Sequence, residues 1–167
     1  MLEMPVQFKY SIRVFIFFIF LMAAGTRVQC KAQFSGPEAA SSIPESDRVQ
    51  PAALAKILGG HDADKPLILQ VGSRVMFAQA HIAGSEYAGP GSQAAGLQLL
   101  EGRTAQTRKS KLIVIYCGCC PWMRCPNVAP AYKRLHELGF TNVKVLYIAN
   151  NFGDDWVGKG FPVAQGE

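Results

Sequence analysis

The feature that most constrains this sequence is a short apolar run that ends in a cluster of cysteines. Residues 112–116 are rich in β-branched side chains and follow a charged stretch, which is the pattern of a buried strand. Four cysteines come next within nine positions: Cys117, Cys119, Cys120 and Cys125. Beyond them, apolar residues recur at helical spacing over residues 128–138. The sequence therefore predicts a strand, a cysteine-rich loop and a helix.

A strand, loop and helix in this order place the loop at the carboxyl edge of a parallel sheet. At such an edge, the loop amides and the amino-terminus of the helix favour negative charge, including that of a thiolate. We therefore expect the chemistry of this protein at its clustered cysteines.

The length and charge of the chain limit the remaining possibilities. A chain of 167 residues has room for one domain of ordinary size. Its net charge is +5, of which +2 lies in the first thirty positions, where Lys9, Arg13 and Arg27 oppose Glu3. Because no block of basic residues alternates with aromatic residues, we expect no nucleic-acid partner.

The beginning of the chain has the pattern of a targeting segment. Lys9 and Arg13 precede an apolar run over residues 14–24, which has the length of a signal peptide and is short for a membrane span. We predict that residues 1–30 are a secretory signal peptide, or alternatively an uncleaved membrane anchor. The protein is thus expected to be secreted or periplasmic. If the segment is instead an uncleaved anchor, we expect the protein to be attached to the membrane only through this segment.

Export changes what the cysteines imply. If Cys30 leaves with the signal, every remaining cysteine lies in one loop. Disulfide-stabilised domains instead distribute cysteines so that distant segments are joined. This clustering indicates redox chemistry, sulfur carriage or metal binding.

The rest of the chain predicts one α/β domain. Residues 31–50 are rich in Ser, Pro, Gly and Ala and are predicted to be a flexible linker, which places the domain at residues 51–163. Strands are predicted at 67–71, at 81–84 together with a turn, at 112–116 and at 143–148. Helices are predicted at 51–58, 93–101 and 128–138, with a short one beginning near Asp154. This alternation is typical of a doubly wound domain whose mostly parallel central sheet is flanked by helices.

The pieces of this domain resemble a rhodanese-like (sulfurtransferase) domain over residues 51–162. The resemblance rests on the strand that ends at Gln70-Val71, on His81-Ile-Ala-Gly84, on Tyr116-Cys117, on Leu138-Gly-Phe140, and on Trp156 with Gly160-Phe-Pro162. The loop is similar to that of a subgroup with the sequence Cys-Gly-Cys-Cys-Pro-Trp.

The resemblance implies roles for several residues. Cys117 falls at the position of the family's sulfur-accepting cysteine and is the candidate catalytic residue. His81 falls on the signature histidine, which implies a structural role. Many members carry an acidic residue and an arginine in the first core strand, where this chain has Gln70 and Gly72.

The function expected from this resemblance is that of an exported sulfurtransferase or sulfane-sulfur carrier, with the sulfur held on Cys117 as a persulfide. Its partners would be a small sulfur donor and a thiol acceptor, or a thiol of another protein. Gly118, Trp122 and Arg124 are the candidate substrate-binding residues, and no cofactor is expected.

The other three cysteines leave two further functions open. Cys119, Cys120 and Cys125 are candidate resolving or redox partners of Cys117. Cys117 and Cys120 also form a Cys-x-x-Cys motif between a strand and a helix, which is typical of thiol–disulfide oxidoreductases. The third alternative is a module that binds a metal through its cysteines, although the adjacent pair fits a structural zinc site poorly and no metal ligand is assigned.

Overall fold

The computed structural model describes residues 40–60 and 65–166. In this part of the chain the strands are β1 (Arg48–Val49), β2 (Leu67–Gln70), β3 (His81–Ile82), β4 (Glu86–Tyr87), β5 (Ile113–Tyr116), β6 (Val143–Leu146) and β7 (Val163–Ala164). The helices are α1 (Pro51–Leu58), α2 (Arg74–Gln79), α3 (Ala94–Thr104), α4 (Val128–Glu137) and α5 (Phe152–Asp155). Short 3₁₀ turns lie at Ala40–Ser42, Glu45–Asp47, Trp122–Arg124 and Val157–Lys159.

Five of the strands form one parallel sheet in the order β1-β6-β5-β2-β4. The other two, β3 and β7, form a separate antiparallel pair. In the main sheet, Gln70 at the end of β2 lies opposite Tyr116 at the end of β5. This confirms the predicted class of fold, and it brings the residues that follow β2 beside those that follow β5.

Both faces of the main sheet are covered, which explains why β5 reads as an unbroken apolar run. Ile113 and Ile115 pack on one face with helix α4, through Ala131 and Leu135. On the opposite face the core contains Val114 and Tyr116 of β5, Leu54 of α1, Ile82 of β3, and Phe152 and Trp156. Cys117 belongs to the first of these two cores.

The folded part of the chain includes residues of the stretch predicted to be a linker. In this stretch β1 pairs in parallel with β6. The side chains of Ala40 and Ile43 are buried in the core on the Cys117 face, and Arg48 donates two hydrogen bonds to the carbonyl oxygen of Ile43. A two-residue strand is too short to show a hydrophobic period. The composition of the stretch, rich in Ser, Pro, Gly and Ala, therefore led to the prediction that the folded domain begins near Pro51.

Two further elements differ from the sequence expectation. Helix α2 occupies Arg74–Gln79. The sequence predicted no helix at these residues, only a short strand and a turn that include residues 81–84. The helix is short and buries only Phe77, so it carries no amphipathic pattern. Strand β7, which pairs with β3 through Val163 and Ala164, was also not predicted.

The predicted targeting segment at residues 1–30 lies outside the described residues, as do residues 31–39 of the predicted linker. No helix in the described ranges is both long and apolar enough to cross a bilayer.

Candidate active site

Cys117 lies immediately after β5, at the carboxyl edge of the parallel sheet, and only 3% of its surface is exposed. The buried side chain of Gln70 joins the ends of β2 and β5 at this point. Its Nε2 donates to the carbonyl oxygen of Cys117 at 3.2 Å, and its Oε1 accepts from the amide of Gly72 at 3.1 Å. The neighbouring strand therefore holds the backbone of Cys117 in place.

The backbone of Gly72 lies close to Cys117. A Cβ atom built on Gly72 would lie 2.8 Å from the carbonyl oxygen of Cys117 and 3.0 Å from its Sγ. Real Cβ atoms do not approach other atoms so closely, so a side chain at this position would displace Cys117. Glycine at position 72 thus allows the two strand ends to meet.

The thiols of three cysteines form a compact group. The Sγ atoms of Cys117 and Cys119 are 3.0 Å apart, and those of Cys119 and Cys120 are 3.5 Å apart. All three sulfur atoms lie within 4.8 Å of one another. Cys117 is buried, Cys120 is half-buried and Cys119 is exposed, so the group reaches from the core to the solvent.

The environment favours ionisation of Cys117. Hydrogen bonds from the thiols of Cys119 and then Cys120 lower the pKa of Cys117, against the opposing effects of Cys125 and of burial. The same contact with Cys117, together with burial, raises the pKa of the Cys119 thiol and that of the Cys120 thiol. Within this group of three, Cys117 is therefore the thiol whose ionisation is favoured, at the expense of Cys119 and Cys120.

Cys125 is a second thiol whose ionisation is favoured. A hydrogen bond with Cys117, and others from the backbone amides of Asn127 and Val128 at the start of α4, lower the pKa of Cys125 to about 7 despite its burial. Donation from amides at the amino-terminus of a helix is an established means of stabilising a thiolate. The loop thus contains two thiols, Cys117 and Cys125, that ionise more readily than a free cysteine.

Asn127 is a site residue that the sequence did not identify. Its Nδ2 donates to Sγ of Cys117 at 3.2 Å. Its Oδ1 accepts from the amide and the hydroxyl of Ser92, at 3.1 and 2.8 Å. Asn127 directly precedes α4, where asparagine usually caps the helix, but its side chain makes no capping hydrogen bond because both ends of the amide are engaged here.

Gly118 and Trp122, two of the predicted substrate-binding residues, shape the loop. Gly118 has a φ of +78°, a left-handed conformation that glycine adopts without strain, and its carbonyl oxygen accepts from the amide of Phe152 at 3.1 Å. Trp122 is buried, and its ring packs on Tyr147 with centroids 5.1 Å apart. Both contacts fasten the loop to the segments that follow β6.

Two further observations bear on how the loop meets a ligand. The amide of Trp122 donates to the carbonyl oxygen of Ile148 at 2.9 Å, so it is not available to a bound anion. The side chain of Arg124, the third predicted substrate-binding residue, is exposed at the surface of the loop. Met123 beside it is 68% exposed, so the outer rim of the loop combines one cationic and one apolar side chain.

The signature histidine has structural contacts. His81 hydrogen-bonds through Nδ1 to the carbonyl oxygen of Phe77 at 2.8 Å and stacks on the Phe77 ring. The next residue, Ile82, donates its amide to the hydroxyl of Tyr116 at 3.1 Å, and Ser85 also contacts this hydroxyl. Burial raises the pKa of Tyr116 to about 12. The contacts of His81 and Ile82 therefore connect α2 and β3 to β5, the strand that precedes Cys117.

Comparisons with known proteins identify this fold. The sequence matches no family model and no curated protein. The crystal structure of Alr3790 from Anabaena sp. is similar with a TM-score of 0.55 and 20% identity, over 71% of this chain and 92% of that one. A solution structure from the same protein, described as a rhodanese-like domain, has a TM-score of 0.53 and 19% identity, over 71% and 79% of the two chains.

Two further solved structures agree with this result. BH2092 from Bacillus halodurans has a TM-score of 0.56 and 22% identity, over 72% of this chain and 77% of that chain. EanB, whose complex with hercynine has also been solved, has a TM-score of 0.50 and 24% identity, over 71% of this chain and 27% of EanB. At these identities the likeness defines the fold: the described chain has the rhodanese-like fold, with clustered cysteines at the carboxyl edge of its sheet.

Proposed function

We propose that this protein is a sulfurtransferase or sulfane-sulfur carrier, in which Cys117 accepts the sulfur. The observation that carries the proposal is the placement of Cys117, which directly follows the central strand of a rhodanese-like fold. There its sulfur accepts a hydrogen bond from Asn127 and lies 3.0 Å from the sulfur of Cys119. Donors around a sulfur atom at this edge stabilise its anionic form, which is the nucleophile in sulfur transfer.

The proposed reaction has two steps. In the first step, the Cys117 thiolate attacks the outer sulfur of a small donor and forms an S–S bond to it. The bond between that sulfur and the rest of the donor breaks, and its electron pair leaves with the rest of the donor. A thiolate acceptor then attacks the terminal sulfur, and Cys117 leaves as a thiolate. The two steps together involve no net oxidation or reduction, so the proposed reaction requires no redox cofactor.

The loop residues support this reaction in different ways. Asn127 donates a hydrogen bond to the sulfur of Cys117, Cys119 hydrogen-bonds with the same sulfur, and Gln70 fixes the backbone of Cys117. Arg124 at the rim would attract an anionic donor or an acidic protein partner. Because Cys117 is buried, the donor or a partner's thiol would approach from the side of the exposed Cys119.

The proposal is tested by mass spectrometry of the full chain. Reduced protein is incubated with a sulfane-sulfur donor, freed of excess donor and digested under conditions that preserve persulfides. We expect the mass of one added sulfur atom on the peptide that contains Cys117. The matched variant is Cys117→Ser, and sulfur addition that persists at the same level in this variant would overturn the assignment.

A second function, thiol–disulfide oxidoreductase, is favoured by one observation. The Sγ atoms of Cys117 and Cys119 are 3.0 Å apart, and Cys125 also hydrogen-bonds to Cys117. In this alternative Cys117 attacks a substrate disulfide, and a neighbouring cysteine resolves the mixed disulfide. Reduction of insulin that depends on Cys117 and on one partner cysteine, without sulfur loading, would favour this function over sulfur transfer.

The proposal also includes export through the predicted segment at residues 1–30. Its charged start and apolar run support this, and the clustered cysteines would then work in a compartment that oxidises thiols. Fractionation of cells that express the tagged protein, combined with protease accessibility, would distinguish a released from an anchored protein. Recovery of the intact chain in the cytoplasm would contradict export.

A further inference from the structure

The three clustered thiols lie close enough together to share one metal ion. Metal–sulfur bonds to thiolates are about 2.3 Å long, so two sulfur atoms on one ion lie no more than about 4.6 Å apart. In a trigonal planar arrangement they lie about 4.0 Å apart. The sulfur atoms of Cys117, Cys119 and Cys120 all lie within 4.8 Å of one another, so small side-chain rotations are enough to place them around one ion.

We propose that Cys117, Cys119 and Cys120 form a three-thiolate site for Cu(I). The choice of ion follows from the ligands, because thiolates prefer soft metals such as Cu(I) over harder divalent ions. Binding is a ligand exchange without redox change: Cu(I) leaves the ligands of its donor complex, three Cu–S bonds form, and each thiol that is still protonated loses its proton to the solvent. Ionised thiolates are the binding species, as at other cysteine metal sites.

The number of ligands also points to copper. Among the described residues, the group of mutually close sulfur atoms contains three cysteines, and Cys125 is not one of them. Cys125 hydrogen-bonds with Cys117 and with the amides of Asn127 and Val128, and its sulfur lies outside the group of three. Structural zinc sites and iron–sulfur clusters usually need four protein ligands, whereas three thiolates are sufficient for Cu(I).

The surroundings of the group allow entry and support the ligands. Cys119 is exposed and Cys120 is half-buried, so an ion reaches the site from solvent without unfolding of the core. At the base of the site, Asn127 donates to Sγ of Cys117 at 3.2 Å. Hydrogen bonds of this kind orient ligands and contribute to metal affinity.

Occupation by Cu(I) would engage the sulfur of Cys117. If Cys117 also carries sulfane sulfur, as proposed above, copper and sulfur would exclude each other. Metal binding itself does not depend on the proposed sulfur transfer, so the two proposals can fail separately.

The test is an anaerobic titration of the full chain, reduced and carrying Cys30→Ser so that only the loop thiols remain. Cu(I) is supplied from a chromogenic chelator, and its transfer is followed by the loss of chelator colour. We expect one equivalent to bind, with X-ray absorption showing three sulfur neighbours. Cys119→Ser and Cys120→Ser should each weaken binding by more than about 100-fold, the upper limit for loss of an outer-shell partner.

The matched comparison is Cys125→Ser, which removes a hydrogen-bond partner of Cys117 but no ligand. It should weaken binding by less than about 100-fold, the upper limit for an outer-shell partner, and should keep three sulfur neighbours in X-ray absorption. Zn(II) is titrated in parallel and should bind more weakly than Cu(I). Because Cys119 and Cys120 lie toward the surface, their variants should fold, and circular dichroism verifies this. The proposal is overturned by substoichiometric copper, by unchanged affinity in Cys119→Ser and Cys120→Ser, or by a four-sulfur site that requires Cys125.

Discussion

The side-chain amide of Asn127 donates a hydrogen bond to Sγ of Cys117, while its oxygen accepts two from Ser92. The two contacts with Ser92 fix the orientation of the amide, so its N–H group points at the sulfur. Cys117 thus receives a donor that is positioned in advance, from a residue ten positions away in the loop. This arrangement is suited to holding a thiolate or a persulfide anion.

Replacement of Asn127 should make Cys117 a weaker acid. A hydrogen bond to a charged group contributes about 1.5–3 kcal/mol, so Asn127→Ala should raise the pKa of Cys117. Asn127→Asp should raise it further, because a carboxylate beside the sulfur opposes its ionisation. The measurement is the pH dependence of iodoacetamide alkylation, with Cys117 identified by peptide mass spectrometry.

Ser92→Ala is the matched control for Asn127. It removes the hydroxyl contact but keeps the backbone amide of residue 92 as a donor to Asn127. Its effect on the pH profile of Cys117 should therefore be in the same direction and smaller. Identical profiles for the parent chain and Asn127→Ala would contradict a role for this hydrogen bond.

The loop should contain a thiolate near neutral pH. The pKa of Cys125 is lowered to about 7 from an ordinary value of 9.0, first by its hydrogen bond with Cys117. An ultraviolet titration of thiolate absorbance, in a reduced Cys30→Ser chain, should show a step near pH 7. The step should lose the contribution of Cys125 in Cys125→Ser, where Cys117 remains to titrate, and it should move to higher pH in Cys117→Ser. A titration of the parent chain that begins only above pH 8 would contradict this prediction.

The same shift implies a pH dependence of stability. Because the pKa of Cys125 is lower in the folded than in the unfolded chain, its ionisation favours the folded state. This contribution is fully present above the unfolded value of about 9 and is lost as the pH falls through about 7. The free energy of unfolding of the reduced chain should therefore rise from pH 7 to 9 more steeply than that of Cys125→Ser, as measured by urea denaturation.

Gly72→Ala should disturb both the stability and the reactivity of the site. Its Cβ would lie 2.8 Å from the carbonyl oxygen of Cys117, and such overpacking typically costs about 1–3 kcal/mol. Gly102→Ala is the control, since a Cβ there meets no atom within 4 Å and alanine favours a helix by about 0.5–1 kcal/mol. Urea denaturation should show a lower free energy of unfolding for Gly72→Ala and a higher one for Gly102→Ala. The rate of Cys117 alkylation should fall only in Gly72→Ala.

Tyr116→Phe should destabilise the fold without any change at the cysteines. The phenol accepts a hydrogen bond from the buried amide of Ile82, and an amide left without a partner costs about 1–3 kcal/mol. Tyr147→Phe, which keeps the ring that packs on Trp122, should change stability by less than about 0.5 kcal/mol. Equal unfolding midpoints for the two variants would contradict the proposed importance of the Ile82 contact.

The longer elements were predictable because their sequence patterns are local. β2, β5 and β6 are four-residue strands within apolar runs, and α4 buries residues that recur at helical spacing. β1, β3, β4 and β7 each contain two residues, which is too few to show a period. Such strands depend on their partners in the fold, so the contribution of β1 to the sheet could not be predicted.

The site was predictable only in part, for a similar reason. The position of Cys117 directly after a buried strand was predictable because it rests on a local pattern. Asn127 acts through Ser92 and Cys117, both distant from it in sequence, and the need for glycine at position 72 arises from a contact between two strand ends. Neither relation leaves a signal in the sequence around the residue itself.

The pairing of β1 with β6 has a consequence for how the chain folds during synthesis. Arg48 pairs with Val145, so the edge of the sheet cannot close until the ribosome has passed β6. Parallel pairings between segments so far apart form slowly. The four loop cysteines precede β6 and are made before the sheet that buries Cys117 is complete. A nascent chain would thus expose every loop thiol to premature cross-linking, and its yield should depend on the thiol redox conditions under which it is made.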